Sequence, residues 1–323
     1  MRTITLEEHF ATPDYMAGPG RKLKEQAERA GGRLASLIAD LLDLGDGRIA
    51  AMDAAGVGVQ ALSLTSPGVE QLPSEEAKAV ARQTNAAIGE AVRRRPDRFF
   101  GLASLPLLDP PAAIGELERA IAADGCKGVV INGHVQGRYL DDRFFWPVLQ
   151  RAEALKLPIY LHPTQSPPAV VEAWYGGLKP AVAEMMANGG WGWHIETALH
   201  VLRMVLGGVF DAHPELQIVI GHMGETLPFM IERVDMMPPS ATGLKKPISA
   251  YLRANVHYTF AGFNFLPTFL QLMLEVGVDR ILFSADHPYR PMAEARAFLD
   301  SLPVSPTDRE RIAHGNAERL FGV

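Results

Sequence analysis

The chain alternates short apolar runs with longer segments of helical period. Runs such as Val129-Val130-Ile131 and Ile218-Val219-Ile220 are apolar on both faces, the pattern of a parallel sheet covered by helices. Strands are predicted at Thr3 to His9, Val59 to Leu64, Phe99 to Leu105 and Lys127 to Ile131. Four more are predicted at Pro158 to His162, Gln217 to His222, Val256 to Phe260 and Arg280 to Ala285. A helical segment follows each: Ile49 to Ala55, 75–94, 110–123, 143–155, His194 to Phe210, 226–236, 266–276, and a closing pair near 291–300 and 306–319. Gly56 ends the first of these helices and Pro96 stops the second. Pro110 and Pro111 fall in a first turn, where a missing N–H costs little.

Eight strand–helix units predict an α/β fold, a distorted (β/α)8 barrel in one domain over residues 1–323. The alternative is an open doubly wound sheet. That fold prefers a glycine-rich first turn, and none follows the first strand. Two stretches break the rhythm. Residues 11–45 read as an insertion with one helical patch at Leu34 to Ile38, either an active-site lid or a tolerated surface loop. Residues 164–193 carry several prolines and glycines and three of the four tryptophans, Trp174, Trp191 and Trp193.

Composition narrows the class. Apolar residues are 47% of 323, enough for a large core, and charged residues are 21%, too ordinary for a disordered chain. The net charge of −6 gives no basic excess for nucleic acid or an anionic membrane surface. Cys126 is the only cysteine, so an intrachain disulfide and a thiolate zinc cluster are both excluded. Glu7 and Glu8 stand where a signal peptide needs an apolar core, and no apolar run reaches a membrane span. A cytoplasmic protein is expected.

In a barrel, reactive groups gather at the C-terminal ends of strands. The polar residues there are few: Glu7 and His9 on the first strand, His162 on the fifth, His222 on the sixth and Asp286 on the last. Side chains two apart share a strand face, so Glu7 and His9 should point one way and Ile4 and Leu6 the other. Burying such groups without partners would cost several kcal/mol, on the order of the usual desolvation penalty. A divalent cation supplies the partner. Glu7, His9, His162 and Asp286 give two carboxylates and two imidazoles, a set that suits Zn2+ or Mn2+ and leaves positions for water or substrate. Two-metal barrels bridge their ions with a modified lysine at the end of strand four. Here that place reads Asn132-Gly133-His134, so one metal is expected.

These motifs resemble a known family. Glu7-x-His9, Leu161-His162-Pro163, Gly221-His222-Met223-Gly224-Glu225, Phe283-Ser284-x-Asp286 and Gly315-Asn316-Ala317-Glu318-Arg319-Leu320-Phe321 are similar to the amidohydrolase superfamily, in the branch of aminocarboxymuconate semialdehyde decarboxylase. The resemblance spans nearly the whole chain. The opening Leu6-Glu7-Glu8-His9-Phe10 looks most like γ-resorcylate, 2,3-dihydroxybenzoate and 5-carboxyvanillate decarboxylases, which place Glu where hydrolytic relatives place a first His. It implies non-oxidative removal of CO2 from a small ortho-hydroxybenzoate whose phenol oxygen and carboxylate chelate the ion. Asp286 is then the candidate donor of a proton to the ring carbon, and a homodimer or homotetramer is expected. The residues around Asp286, from Ala285 to Arg290, depart from the pattern, which leaves the ring substituents open.

The other polar residues take supporting places. His222 is set to hydrogen-bond a metal-bound water or the substrate, and Glu225 to orient it. Arg233 is spaced either to hold Glu225 or meet a substrate carboxylate, or to be a surface residue of its helix. Asn132 and His287 are candidate substrate contacts. Phe10, Phe260, Phe263, Trp191 and Tyr289 are candidate walls of a flat pocket. His194, His200, His213 and His257 read as structural. Two other functions compete with the decarboxylase: a hydrolase or hydratase working through metal-bound water, and a metal-binding protein without catalysis.

Overall fold

The computed structural model describes the backbone of residues 1–30 and 32–323 and all side chains except those of 30–35; the remainder, inside the insertion expected at 11–45, lies outside the described residues. Eight parallel strands pair in sequence order: β1 (Ile4–Phe10), β2 (Val59–Leu64), β3 (Phe99–Ser104), β4 (Cys126–Asn132), β5 (Ile159–His162), β6 (Ile218–Ile220), β7 (Val256–Thr259) and β8 (Ile281–Leu282). A parallel bridge from Leu6 to Ser284, with Leu6 N–H on the Phe283 carbonyl at 3.2 Å, brings the last strand back to the first. This is the (β/α)8 barrel that the alternation predicts.

Residues that point inward form a small core: Ile4, Leu6, Ala61, Phe100, Leu102, Val130, Tyr160, Val219 and Leu282. Residues one position along, such as Leu62, Val129, Ile131, Ile159, Ile218, Ile220, Ile281 and Phe283, face the helices in a much larger core. The pleat of a strand covered on both sides produces this double burial.

β1 departs from simple alternation. Its register against β2 slips between Thr5 and Glu8, and Glu7 has φ 61°. The extra residue of this bulge resets parity. Ile4 and Leu6 face the interior, and past the bulge Glu7 and His9 face it too. The expectation that these two pairs take opposite faces is therefore wrong. Phe10 falls on the outer face, fully buried in the sheet–helix core.

The two interruptions hold more structure than their composition suggests. Helices run over Pro13–Ala17, Arg21–Ala30 and Gly32–Leu42, and again over Pro168–Tyr175 and Pro180–Ala187. The helix expected from His194 to Phe210 is two, Gly192–Leu206 and Val209–Ala212, parted where Gly208 takes φ 78°. No helix among the described residues is long and apolar enough to cross a membrane.

Candidate metal centre

The C-terminal mouth of the barrel collects the reactive groups. Glu7 and His9 come from β1, His162 from the end of β5, His222 from the turn after β6 and Asp286 from the loop after β8. Glu7, His222 and Asp286 all have positive φ, as do Met223, Glu225, Thr226 and Ala261 on the same rim. Such backbone is costly for residues other than glycine and concentrates where function dictates geometry.

The ligand-type atoms of Glu7, His9 and His162 lie within 4.8 Å of one another. His162 Nε2 is 3.3 Å from Glu7 Oε1, and His9 Nε2 is 3.5 Å from Asp286 Oδ1. His162 donates its Nδ1–H to the Pro163 carbonyl at 2.8 Å, which leaves Nε2 a bare lone pair turned toward Glu7. Glu7 Oε1 and His9 Nε2 are buried and have no hydrogen-bond partner. Buried acceptors do not stay unpaired without cost, and these two point at a common space. A divalent cation with nitrogen and oxygen ligands fits that space. Tyr160 OH donates to the other oxygen of Glu7 and lies 3.0 Å from Thr259 Oγ1.

Among the protein's own charges the cluster is poorly compensated. Burial pushes Glu7 up to about 7 against the pull of His222. Burial likewise pushes Asp286 up to about 7, against His222 and Arg290. Burial holds His9 down at about 3 and His162 well below its ordinary value. Neutral imidazoles beside carboxylates that lack a counter-charge are what a cation site offers.

A second group stands beside the first. Glu225 accepts from His222 Nδ1 at 2.7 Å with one oxygen and from His194 Nδ1 at 2.5 Å with the other. The far nitrogen of His222 lies 4.0 Å from Glu7 Oε1. Burial disfavours charge on His222, yet Glu225 and Glu7 outweigh it and hold its pKa at about 10. Burial also opposes charge on Glu225, but His222 and His194 draw it down to about 2. His194 sits on the Gly192–Leu206 helix, and its Nε2 meets the Gly189 carbonyl at 3.1 Å.

His9, His162, His194, His222 and Asp286 line a cavity of about 250 Å3 walled by Trp193, Phe263 and Tyr289. Gly189 and Trp193 come from the second interruption, whereas no described residue of 11–45 lines it. Residues from that first segment instead border a separate cavity beside His287. A larger cavity of about 800 Å3 opens at the opposite mouth, between Lys156, Gln217, His257 and Arg280. Among the described residues no group of three carboxylate or imidazole side chains comes together there, so size does not locate the chemistry.

Several candidate substrate contacts lie outside the 250 Å3 cavity. Phe10 is in the outer core. Arg233 is exposed on the helix Leu227–Val234, with Nη1 on Met236 Sδ at 3.2 Å, and does not touch Glu225. Asn132 turns inward but is fully buried, its N–H on Glu70 Oε1 at 2.9 Å. His287 lines the neighbouring cavity. Trp191 and Phe260 are also absent from the walls. Tyr160 and His194 were not among the expected site residues. Tyr160 had a signal, since it stands two positions before His162 on the same strand face. His194 had none, being 31 residues from the carboxylate it meets.

Comparison with known proteins places the whole chain beside a set of decarboxylases. Residues 40–323 match the family model described as Amidohydrolase. The chain is 37% identical to a gamma-resorcylate decarboxylase of Rhizobium radiobacter, over 98% of this chain and 97% of that one. A dihydroxybenzoic acid decarboxylase from Polaromonas, solved with bound manganese and the inhibitor 2-nitroresorcinol, superposes with a TM-score of 0.90 at 34% identity, over 99% of this chain and 97% of that one. A 5-carboxyvanillate decarboxylase from Novosphingobium aromaticivorans, complexed with manganese and 4-hydroxy-3-methoxy-5-nitrobenzoic acid, gives 0.91 at 32% identity, over 100% and 96%. The chain belongs to the amidohydrolase family.

Proposed function

We propose that this protein is a metal-dependent carboxy-lyase that removes CO2, without oxidation, from a small ortho-hydroxybenzoate. The observation that supports the reading is the close group of Glu7, His9 and His162, with Asp286 Oδ1 3.5 Å from His9 Nε2. Those four residues would hold a single divalent ion. Manganese is favoured over zinc because two similar decarboxylases were solved with it. When bound, the ion supplies a Lewis-acidic anchor for the phenol oxygen and the carboxylate of the substrate.

The chain's own groups do the rest. Trp193, Phe263 and Tyr289 hold the ring and exclude water. Asp286, whose side chain keeps 16% exposure to the cavity, gives a proton to the ring carbon that bears the carboxylate. The bond to the carboxylate then breaks, its electron pair restores the aromatic ring, and CO2 leaves. Asp286 regains its proton from water. His222, aligned by Glu225, offers a hydrogen bond to a substrate oxygen. The hydrolase alternative has less support, because the similar proteins are decarboxylases.

The test is CO2 release from substituted salicylates by manganese-loaded protein. Asp286→Asn should still bind substrate while kcat falls by about 10²–10⁴, the usual range for a general acid. A near-normal rate in that variant would remove Asp286 from the proton-transfer role.

The exposed apolar side chains of Phe229 (74%), Leu274 (82%) and Phe265 (51%) support assembly as a homodimer or homotetramer. Phe229 and Leu274 lie on the helices Leu227–Val234 and Leu266–Val276, which pack side by side, and Phe265 caps the second. The lone buried thiol of Cys126 is consistent with a reducing cytoplasm.

A further inference from the structure

Arg290 is the only arginine or lysine among the described residues lining the metal cavity. Its N–H bonds the Asp286 carbonyl at 2.9 Å, which fixes it one turn beyond the carboxylate. Its guanidinium makes no hydrogen bond or ion pair with any described residue. Residues 30–35 contain no carboxylate that could serve instead. Arg290 is exposed and also borders the neighbouring cavity, so it stands at the rim between the two.

Gly262 makes room for this arrangement. A Cβ there would lie 2.7 Å from Arg290 Cγ, 3.3 Å from Arg290 Nε and 3.2 Å from Asp286 Oδ2. Arg290 and Asp286 thus flank one glycine without forming an ion pair. Arg48, the buried arginine behind β1, is by contrast spent on main-chain carbonyls.

A free guanidinium beside an acid-binding pocket could meet either of two groups. The scissile carboxylate is already anchored by the ion in the decarboxylase reading, and a second charge on it would be counterproductive. That group loses its charge as CO2 forms, so the contact would stabilise the substrate more than the transition state. Arginine is better matched to a carboxylate that persists through the reaction, which it can hold with two parallel hydrogen bonds.

We propose that Arg290 reads a second, non-reacting carboxylate on the ring, so that the preferred substrates are hydroxybenzene dicarboxylates. This rests on the decarboxylase reading above. One carboxylate leaves as CO2, the electron pair of its bond stays in the ring, and the proton from Asp286 takes its place. The other carboxylate stays on the guanidinium and leaves with the hydroxybenzoate product.

Two measurements test this. With manganese-loaded protein, kcat/KM is compared for 4-hydroxyisophthalate and 2-hydroxyterephthalate against salicylate. Wild type should prefer at least one diacid, and Arg290→Gln should shrink that preference about 10- to 100-fold, the range for a charge-assisted hydrogen bond. Arg290→Lys should keep part of it. Separately, calorimetric titration compares isophthalate with benzoate, neither of which reacts. Tighter isophthalate binding in wild type, lost in Arg290→Gln, supports the assignment even if no hydroxybenzoate releases CO2, an outcome that would sink only the decarboxylase reading. No diacid preference in wild type, or the same preference in Arg290→Gln, overturns the assignment of Arg290.

Discussion

Gly221 follows β6 at the point where the barrel wall comes closest to Glu7. A Cβ there would lie 2.7 Å from Glu7 Oε2 and 3.1 Å from both Glu7 Oε1 and the Ala261 methyl. Its φ of −84° suits any residue, so Gly221→Ala tests crowding alone. The expected outcome is a drop of 10-fold or more in Mn2+ affinity, followed by manganese content after dialysis, because the carboxylate must swing aside. Unchanged affinity would mean Glu7 Oε1 is not a ligand. A second residue reports on acid stability. His200 is fully buried and its Nε2 accepts the Leu140 N–H at 2.9 Å. Burial, with His134 and Arg203 nearby, pushes its pKa down from 6.5 to about 3. The unfolded chain takes up a proton near 6.5 that the folded chain refuses. The contribution is therefore full above 6.5 and is lost as pH falls toward 3, amounting to about 2 kcal/mol by pH 5. In His200→Gln the urea midpoint should fall less steeply between pH 6.5 and 5 than in wild type; parallel slopes would count against a neutral buried His200. The sequence made some residues of this kind readable. His9, His162 and Asp286 each end an apolar strand, where a polar side chain has no other reason to be. Arg233 takes the surface place that the sequence left open, because helical spacing from Glu225 says nothing about which side of the helix faces the barrel.

At the level of elements, β1 depends on a tether that its own sequence does not advertise. Arg48, on the helix Asp46–Ala55, is 2% exposed. It donates to the His9 carbonyl at 2.6 Å, the Asp40 carbonyl at 3.2 Å and the Asp43 carbonyl at 2.7 Å. Glu8, facing the same outer layer, accepts from Gln60 at 2.9 Å and from the Ala285 N–H at 3.0 Å. One guanidinium therefore joins the bulged strand to the segment after it, and one carboxylate joins it to β8. Arg48→Met removes a buried charge near Glu8 and four hydrogen bonds, the fourth being to Gln60 Oε1 at 3.3 Å. It should destabilise the fold by about 2–4 kcal/mol, the order expected when several buried acceptors lose a charged donor, measured by urea denaturation. It should also weaken Mn2+ binding, because His9 is held through its own carbonyl. A loss below about 1 kcal/mol would show that the tether is redundant. The elements themselves were legible wherever two-sided burial left an apolar run, as in β4 and β6. The bulge was not, because Thr5, Leu6 and Glu7 carry no glycine or proline to mark it; that single extra residue is why Phe10 turns outward. The helices within 11–45 and 164–193 were hidden by the glycines and prolines that separate and start them, such as Pro13, Pro168 and Pro180.

For the whole molecule, the metal site and barrel closure are one problem. β8 contributes only Ile281 and Leu282 to regular pairing, and it meets β1 through the Leu6–Ser284 bridge and the Ser284 Oγ bond to the Leu6 carbonyl at 2.7 Å. The proposed ligands straddle this seam, with Glu7 and His9 on one side and Asp286 on the other, while His162 reaches across from β5. An ion shared by the four would cross-link the weakest closure of the sheet. Binding to the folded state alone adds about 2.7 kcal/mol at a hundredfold excess over Kd. Chelation with EDTA should therefore lower the thermal midpoint, and Mn2+ should restore it in proportion to the logarithm of its concentration. The location of the effect is the sharper test. Amide exchange should accelerate on chelation in β1 and in residues 281–286, and change little in β3 and β4, which contribute none of the four side chains. Uniform acceleration around the barrel would mean the ion stabilises the fold without bridging its seam. No change at all would mean that Glu7, His9, His162 and Asp286 do not share a cation, and the proposed catalytic centre would fall with them.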